Sequence, residues 1–339
     1  VRNARRDSLL LAIDLLLAVL LGLSALYVIL AEVPLAARGF EYGTLDYIAG
    51  FALIFLAIEL SRRTTGPVIP ILIIIALSYV AWWGRYVGGV LHFPGLSLEV
   101  VLLRGSYGDE GMFGLVAQIS SSFVFMFVLF GAFLIRSGAG EFIVDLARAA
   151  AGRVTGGPGL AAVIASALTG MVSGSAVANT VSTGVITIPL MRQGGYSRPI
   201  AGAIEAVAST GGQIMPPIMG AAAFLMAELL EIRYQEVILA AILPALLYYI
   251  AVFLQADLEA GKTGIKPVPE DQIPPIVRVL KEGWYFIVPF AVLITALFSW
   301  NSPPETAALF GAGSIVVLGT ILSYKGKRLN LQILIFCLR

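Results

Sequence analysis

The 339-residue chain has one cysteine, Cys337, one histidine, His92, and only 13% charged residues. A single thiol excludes a disulfide framework and a thiolate metal site. A single imidazole removes the His-rich zinc and acid–base constellations on which most hydrolytic enzymes depend. Lys and Arg number 22 against 21 Asp and Glu, for a net charge of +1, so no basic patch marks a nucleic-acid partner. Apolar residues are what the chain has: 58% are hydrophobic and the mean hydropathy is +0.91, where an average globular chain is about 45–50% apolar and about 25% charged. Those proportions exclude a soluble domain. They point to an all-α polytopic protein of the lipid bilayer, to be counted in stretches of about 20 apolar residues.

Leu9–Leu30 is apolar except for Asp14 and follows Arg2, Arg5 and Arg6. A signal peptide has an apolar core of roughly 7–15 residues, so this run reads as an uncleaved span. Further spans are predicted over Leu45–Leu60, Pro67–Trp83, Met112–Ile135, Tyr234–Gln255, Trp284–Trp300 and Thr306–Ser323, with an interfacial helix in the half-apolar Tyr86–Leu103. With a cytoplasmic N-terminus and alternating spans, only Arg38, Arg85, Arg104 and Arg233 fall outside, Arg339 standing at the end. That asymmetry is the one expected of cytoplasmic loops.

The distribution requires Pro158–Met191 to enter and leave on one side, because Arg148, Arg153, Arg192 and Arg198 flank it. Its first arm, Pro158–Val172, would be about 22 Å long at 1.5 Å per residue, short of a hydrocarbon core of about 30 Å. A re-entrant helical hairpin over 158–191 follows, with its tip, Ser173 to Thr180, near the midplane. The next crossing, 199–230, is broken at Ser209–Pro217 by Gly211, Gly212, Pro216 and Pro217. Non-helical backbone at that depth survives only within protein or beside a watery cavity. Glu141–Arg153, with Phe142, Ile143, Leu146 and Ala150 on one side and Glu141, Asp145, Arg148 and Arg153 elsewhere, reads as an amphipathic interfacial helix. Asp257–Pro275 reads as a polar cytoplasmic linker. Gly261-Lys-Thr-Gly264 imitates a phosphate-binding loop, but Ala256 stands where its first glycine belongs, and ATP binding is rejected.

Broken helices offer amide N–H groups to carboxylates and carbonyls to sodium. Ser173, Gly174, Ser175, Asn179, Thr180, Ser182 and Thr183 in the hairpin tip face this task, together with Ser209, Thr210, Gly211, Gly212, Gln213, Pro216 and Pro217 in the break. They supply neutral donors and oxygens suited to a hard monovalent cation and an anionic solute. Small-residue helix packing is the alternative reading of the same Ser, Thr and Gly content. Glu205, the one carboxylate inside the broken segment, is either a ligand or a support that hydrogen-bonds the hairpin. Asp14, Asp46, Glu59 and Glu228 lie near span ends, where water contact is expected.

Gly174-Ser-Ala-Val-Ala-Asn-Thr-Val-Ser-Thr-Gly184, Ile188-Pro-Leu-Met191, Gly194-Gly-Tyr196, Ala201 through Pro217 and Met219-Gly-Ala-Ala-Ala-Phe224 resemble the large membrane subunit of tripartite ATP-independent periplasmic (TRAP) transporters. The helices before Met112 resemble the small membrane subunit fused in front, as in permeases that work with TAXI-type binding proteins. The resemblance implies a sodium-driven secondary transporter of the bacterial or archaeal inner membrane. A separate periplasmic binding protein would deliver an organic anion, with Na+ as coupling ion and no other cofactor. It also implies an elevator fold of two inverted repeats, each with a re-entrant hairpin and a broken helix. The division expected is 1–111 small-subunit-like scaffold, 112–256 first transport repeat, 257–283 linker and 284–339 further helices. The second repeat does not follow before Arg339, which leads to the expectation of an N-terminal part of a permease whose partner is its own C-terminal repeat. A binding-protein-independent sodium/dicarboxylate carrier, a membrane-embedded enzyme and an assembly subunit are the competing readings.

Overall fold

Helices account for the regular structure of the computed structural model, which describes residues 2–39, 41–108, 111–330 and 332–334, with side chains from Leu11 onward. Among the described residues there is no strand, only an isolated bridge between Tyr324 and Lys327. Six helical stretches among the described residues are long and apolar enough to cross a membrane: Leu11–Ala37, Thr44–Thr65, Leu115–Ala151, Tyr234–Thr263, Glu270–Phe298 and Pro304–Ile321. The chain divides into two units, 1–118 and 119–339.

The first unit contains α1 (Arg2–Ala37), α2 (Thr44–Thr65), α3 (Val68–Ala81) and α4 (Leu98–Leu102). Val28 and Leu35 of α1 pack on Leu53 of α2, with Leu102 and Tyr107 completing the core. Asp46 departs from its expected contact with water: it is 1% exposed. Its carboxylate accepts the Gly43 N–H at 2.7 Å, the Tyr27 hydroxyl at 2.9 Å and an Arg38 guanidinium N–H at 3.2 Å. An acid in the first turn caps orphaned N–H groups and meets the positive end of the helix dipole. Toward the other end of α2, Arg63 pairs with both Asp14 and Glu59, which accounts for an acid inside the apolar run of α1. Two expectations fail here. The span over Pro67–Trp83 is a 14-residue helix, about 21 Å long and shorter than the hydrocarbon core. Instead of one interfacial helix, the following segment makes two single 3₁₀ turns, Trp83–Tyr86 and Gly89–Leu91. Gly89 and Gly95 at positive φ and Pro94 between them prevent helix propagation there. Regular helix resumes at Ser97, whose hydroxyl accepts the Val100 N–H.

The units divide at α5 (Leu115–Ile119). The second unit continues with α6 (Phe125–Leu134), then turns at Gly138, φ 105°, into α7 (Gly140–Ala151). The hairpin helices α8 (Gly157–Ser173) and α9 (Ala176–Gln193) follow, then α10 (Arg198–Gly211) and α11 (Ala221–Leu229) on either side of the break. The long α12 (Tyr234–Thr263), α13 (Ile276–Gly283), α14 (Ile287–Phe298) and α15 (Pro304–Ile321) complete it. Two details differ from the sequence reading. Asp145 of α7 is buried rather than on a wet face, because the turn at 324–327 folds over it: Asp145 accepts the Tyr324 hydroxyl at 2.8 Å and pairs with Lys325 at 2.5 Å. The segment read as a linker begins as helix, since α12 runs to Thr263. Ile265, Val268 and Ile273 are buried, and the Val268 N–H donates to Gly152 O at 2.9 Å. Cys337 and half of the apolar run begun at Leu329 lie outside the described residues.

Candidate ion and solute site

The site is built from a chain reversal and a helix break that touch. Gly156, at φ 75°, and Pro158 open α8. At its other end Gly174, at φ 60°, reverses the chain into Ser175, whose hydroxyl accepts the Ala178 N–H at 3.3 Å and starts α9. The reversal is therefore tighter than the expected eight-residue tip. It occupies Ser173–Ser175, and Asn179, Thr180, Ser182 and Thr183 already belong to α9. At the break α10 ends at Gly211, and the Gly220 N–H donates to Gln213 O at 2.7 Å to close a loop containing the cis Pro216–Pro217 bond. The loop and the hairpin meet backbone to backbone. A Cβ on Gly212 would stand 2.5 Å from Gly170 Cα, and one on Gly174 would stand 2.3 Å from Met219 O. Helix ends of both polarities, those of α8 and α10 and the starts of α9 and α11, are thereby gathered, with opposite partial charges.

Glu205, fully buried, fastens α10 to both arms of the hairpin. Its Oε1 accepts the Ser166 hydroxyl of α8 at 2.7 Å, the Thr183 hydroxyl of α9 and the Ser209 hydroxyl at 3.1 Å, while Oε2 accepts the Thr187 hydroxyl at 2.5 Å. A carboxylate surrounded by four hydroxyl donors is a hydrogen-bonded anchor, which favours the supporting role of the two left open by the sequence. Asn179 differs. It is also fully buried, and its Nδ2 donates to Ser166 O at 2.8 Å. Since a carbonyl only accepts, the amide must turn its nitrogen there, which leaves Oδ1 with no hydrogen-bond partner among the described residues. Thr169 Oγ1, likewise buried, has none either. An orphaned buried oxygen carries a desolvation cost, and a cation would remove it.

The structure thus brings together Gly174, Asn179, Thr183, Glu205, Ser209, Gly211, Gly212 and Pro217, all buried or at the contact. It does not bring in every hydroxyl: those of Thr180, Ser182 and Thr210 donate to Ala176 O, Asn179 O and Ala206 O of their own helices. Ser173 Oγ stays at the reversal within 3.4 Å of Ser175 O, Ser175 and Gln213 are exposed, and Pro216 is half-buried. Sequence reasoning missed Ser166, Thr169 and Thr187. The recurrence of Asn179, Thr183 and Thr187 at four-residue spacing was the available signal for the last, since such residues share one helix face. Beside α9 a cavity of about 650 Å³ has Thr169, Ser182 and Thr183 on one wall and Lys327, Arg328 and Asn330 on another. At the hairpin base Tyr196 donates toward Gly156 O and Ala256 O, at 3.3 and 3.2 Å. Burial, with the charges of Asp257 and Glu259, pushes its hydroxyl pKa up to about 12.

A family model described as "Tripartite ATP-independent periplasmic transporter, DctM component" matches residues 48–335. Relatives include the sialic acid TRAP transporter large permease protein SiaM of Vibrio cholerae, 27% identical over 243 residues, 70% of this chain and 56% of that protein. The sialic acid TRAP transporter permease protein SiaT of Haemophilus influenzae is 24% identical over 248 residues, 73% of this chain and 39% of that protein. The C4-dicarboxylate TRAP transporter large permease protein DctM of Pseudomonas aeruginosa is 25% identical over 205 residues, 60% of this chain and 47% of that protein. A multi-pass helical membrane protein with paired interrupted elements is the class defined by the fold. The chain belongs to the DctM-component family of TRAP transporters, and these relatives are named as permease proteins. It spans about half the length of the curated relatives it matches.

Proposed function

We propose that the chain is the membrane permease component of a sodium-coupled TRAP-type secondary transporter. It takes up an organic anion bearing a carboxylate, delivered by a periplasmic binding protein of the TAXI type, across the inner membrane with the N-terminus cytoplasmic. The hairpin 158–191 and the break at 209–217 form the first of two inverted repeats and move as an elevator, residues 1–111 serve as scaffold, and a C-terminal repeat completes the site. The observation that carries this reading is Asn179 Oδ1, buried and unpartnered in the first turn of α9: a neutral oxygen near a helix end suits Na+. The cavity beside α9 is lined by Arg136, Lys327 and Arg328 against one acid, Glu141, which pairs with Lys327, and this basic excess supports an anionic solute. The test is the thermal stability of the purified complete permease in NaCl against choline chloride. Sodium is expected to raise the unfolding temperature and Asn179→Ala to abolish the rise; equal temperatures in both salts defeat the reading. Uptake of C4-dicarboxylate and sialic acid into proteoliposomes under an inward sodium gradient, with the complete permease and its binding protein, then identifies the solute.

A further inference from the structure

The long helix α12 runs beside the break, uninterrupted at Pro244, and turns tyrosine hydroxyls onto main-chain carbonyls on both sides of it. On the α10 side, Tyr248 donates to Val207 O at 2.7 Å and Tyr249 to Ala208 O at 3.0 Å, both near the end of that helix. Their rings pack on the same end: a Cβ on Gly211 would stand 2.5 Å from the Tyr248 ring and 2.8 Å from the Tyr249 ring. On the α11 side, the hydroxyl of the buried Tyr234 is shared between Pro217 O at 3.0 Å and Ile218 O. Tyr234 and Tyr249 lie about 22 Å apart along one helix, so the two grips are held at a set spacing. A carbonyl at membrane depth needs a partner, and Pro216 and Pro217 carry no N–H to supply one. Tyrosine hydroxyls from a neighbouring helix stand in for the missing donors.

The Tyr234 grip holds the part of the loop that touches the hairpin. Met219, next after the gripped Ile218, has φ 62°, a left-handed conformation that a residue with a side chain keeps only where its surroundings enforce it. That turn brings Met219 O to within 2.3 Å of where a Cβ on Gly174 would stand, and a Cβ on Gly220 would stand 3.1 Å from Gly174 O. Gly174 is the hairpin reversal, and Asn179 follows one turn into α9, its N–H donating to Ser175 O at 2.9 Å. The Tyr234 ring has its own support, stacked on Phe224 of α11 with centroids 4.5 Å apart and planes at 17°. We infer that α12 is a splint across the break and that Tyr234 is a positioning residue of the ion site, its hydroxyl setting the Met219–Gly220 peptide against the hairpin reversal. The splint stands on these contacts alone; its effect on ion binding rests on the sodium reading above.

The test is amide hydrogen exchange and a sodium titration of the complete permease in detergent, native and with Tyr234→Phe or Tyr249→Phe, each of which keeps its ring and loses only the hydroxyl. The Gly220 N–H, which donates to Gln213 O at 2.7 Å, reports on the loop. Tyr234→Phe is expected to speed its exchange about tenfold. The same variant is expected to raise the half-saturating sodium concentration about fivefold, read from unfolding temperatures in mixtures of NaCl and choline chloride at constant total salt. Tyr249→Phe, on the other side of the break, is expected to speed exchange at the end of α10 and to leave Gly220 as in the native protein. Native exchange at Gly220 in Tyr234→Phe, or equal acceleration there in Tyr249→Phe, overturns the splint. Accelerated exchange with an unmoved sodium midpoint makes Tyr234 a structural tie alone and overturns its positioning role. A native permease without any sodium response defeats the sodium reading instead, and Gly220 exchange accelerated only by Tyr234→Phe then still upholds the splint.

Discussion

Four hydroxyls from three helices converge on the Glu205 carboxylate, which ties both hairpin arms to α10. Removing it leaves buried donors without their shared acceptor. Glu205→Ala is expected to lower unfolding stability by about 3 kcal/mol, measured as a fall in the detergent-solubilised unfolding temperature whether or not sodium is present. Asn179→Ala separates the two roles: it deletes one bond, to Ser166 O, worth about 1 kcal/mol, and takes the sodium-dependent part of the stability with it. An equal sodium response in native and Asn179→Ala protein would move the cation elsewhere. At this scale the sequence showed which residues were unusual and not what they do. An acid within an apolar segment is conspicuous, whereas its role depends on which faces of α8 and α9 turn toward it, a tertiary fact.

Elements were legible where length and periodicity suffice and illegible where a few backbone angles decide. The long spans, the hairpin and the break follow from apolar runs punctuated by Gly and Pro, and the structure forms helices there. The 84–111 segment defeated the reading because Gly89 and Gly95 hold left-handed conformations that half-apolar composition does not announce. The narrow hairpin tip was missed because a serine cap lets a helix restart within a single residue of the reversal. The glycines give the sharpest element-level prediction, since helical glycines with the same intrinsic cost have opposite packing. At Gly261, near the end of α12, an added Cβ meets nothing within 4 Å, so Gly261→Ala is expected to stabilise by about 0.5–1 kcal/mol through the unfolded chain's entropy. At Gly170, in α8, the same atom would meet Gly212 Cα at 2.7 Å. Gly170→Ala must push the hairpin off the break and is expected to destabilise by about 2 kcal/mol. Unfolding temperatures of the two variants that shift in the same direction would show that the hairpin and the break do not touch as described.

For the second unit as a whole, the hairpin is fastened at its base as well as at its tip, and the base fastening titrates. Tyr196 joins the Gly156 start of α8 and the Ala256 turn of α12 through one hydroxyl, beside the entry to α10. Its pKa in the folded chain is pushed up to about 12 by burial first and by Asp257 and Glu259 second, against about 10 for a free tyrosine. A group whose folded pKa is raised keeps its proton longer in the folded state, so between those two values the folded chain binds more protons than the unfolded one. Its contribution is complete below pH 10 and is lost as pH climbs toward 12. Tyr324, raised by burial and by its hydrogen bond to Asp145, acts with the same sign, so the second unit is expected to weaken steeply in alkali. Tyr196→Phe is less stable at neutral pH, having lost the hydroxyl, but its unfolding temperature declines more shallowly between pH 10 and 12, with the residual slope belonging to Tyr324 and the unit's other buried tyrosines. Parallel declines for native and Tyr196→Phe protein would mean that Tyr196 ionises as freely folded as unfolded, and that the hairpin base is open to water rather than sealed against α12.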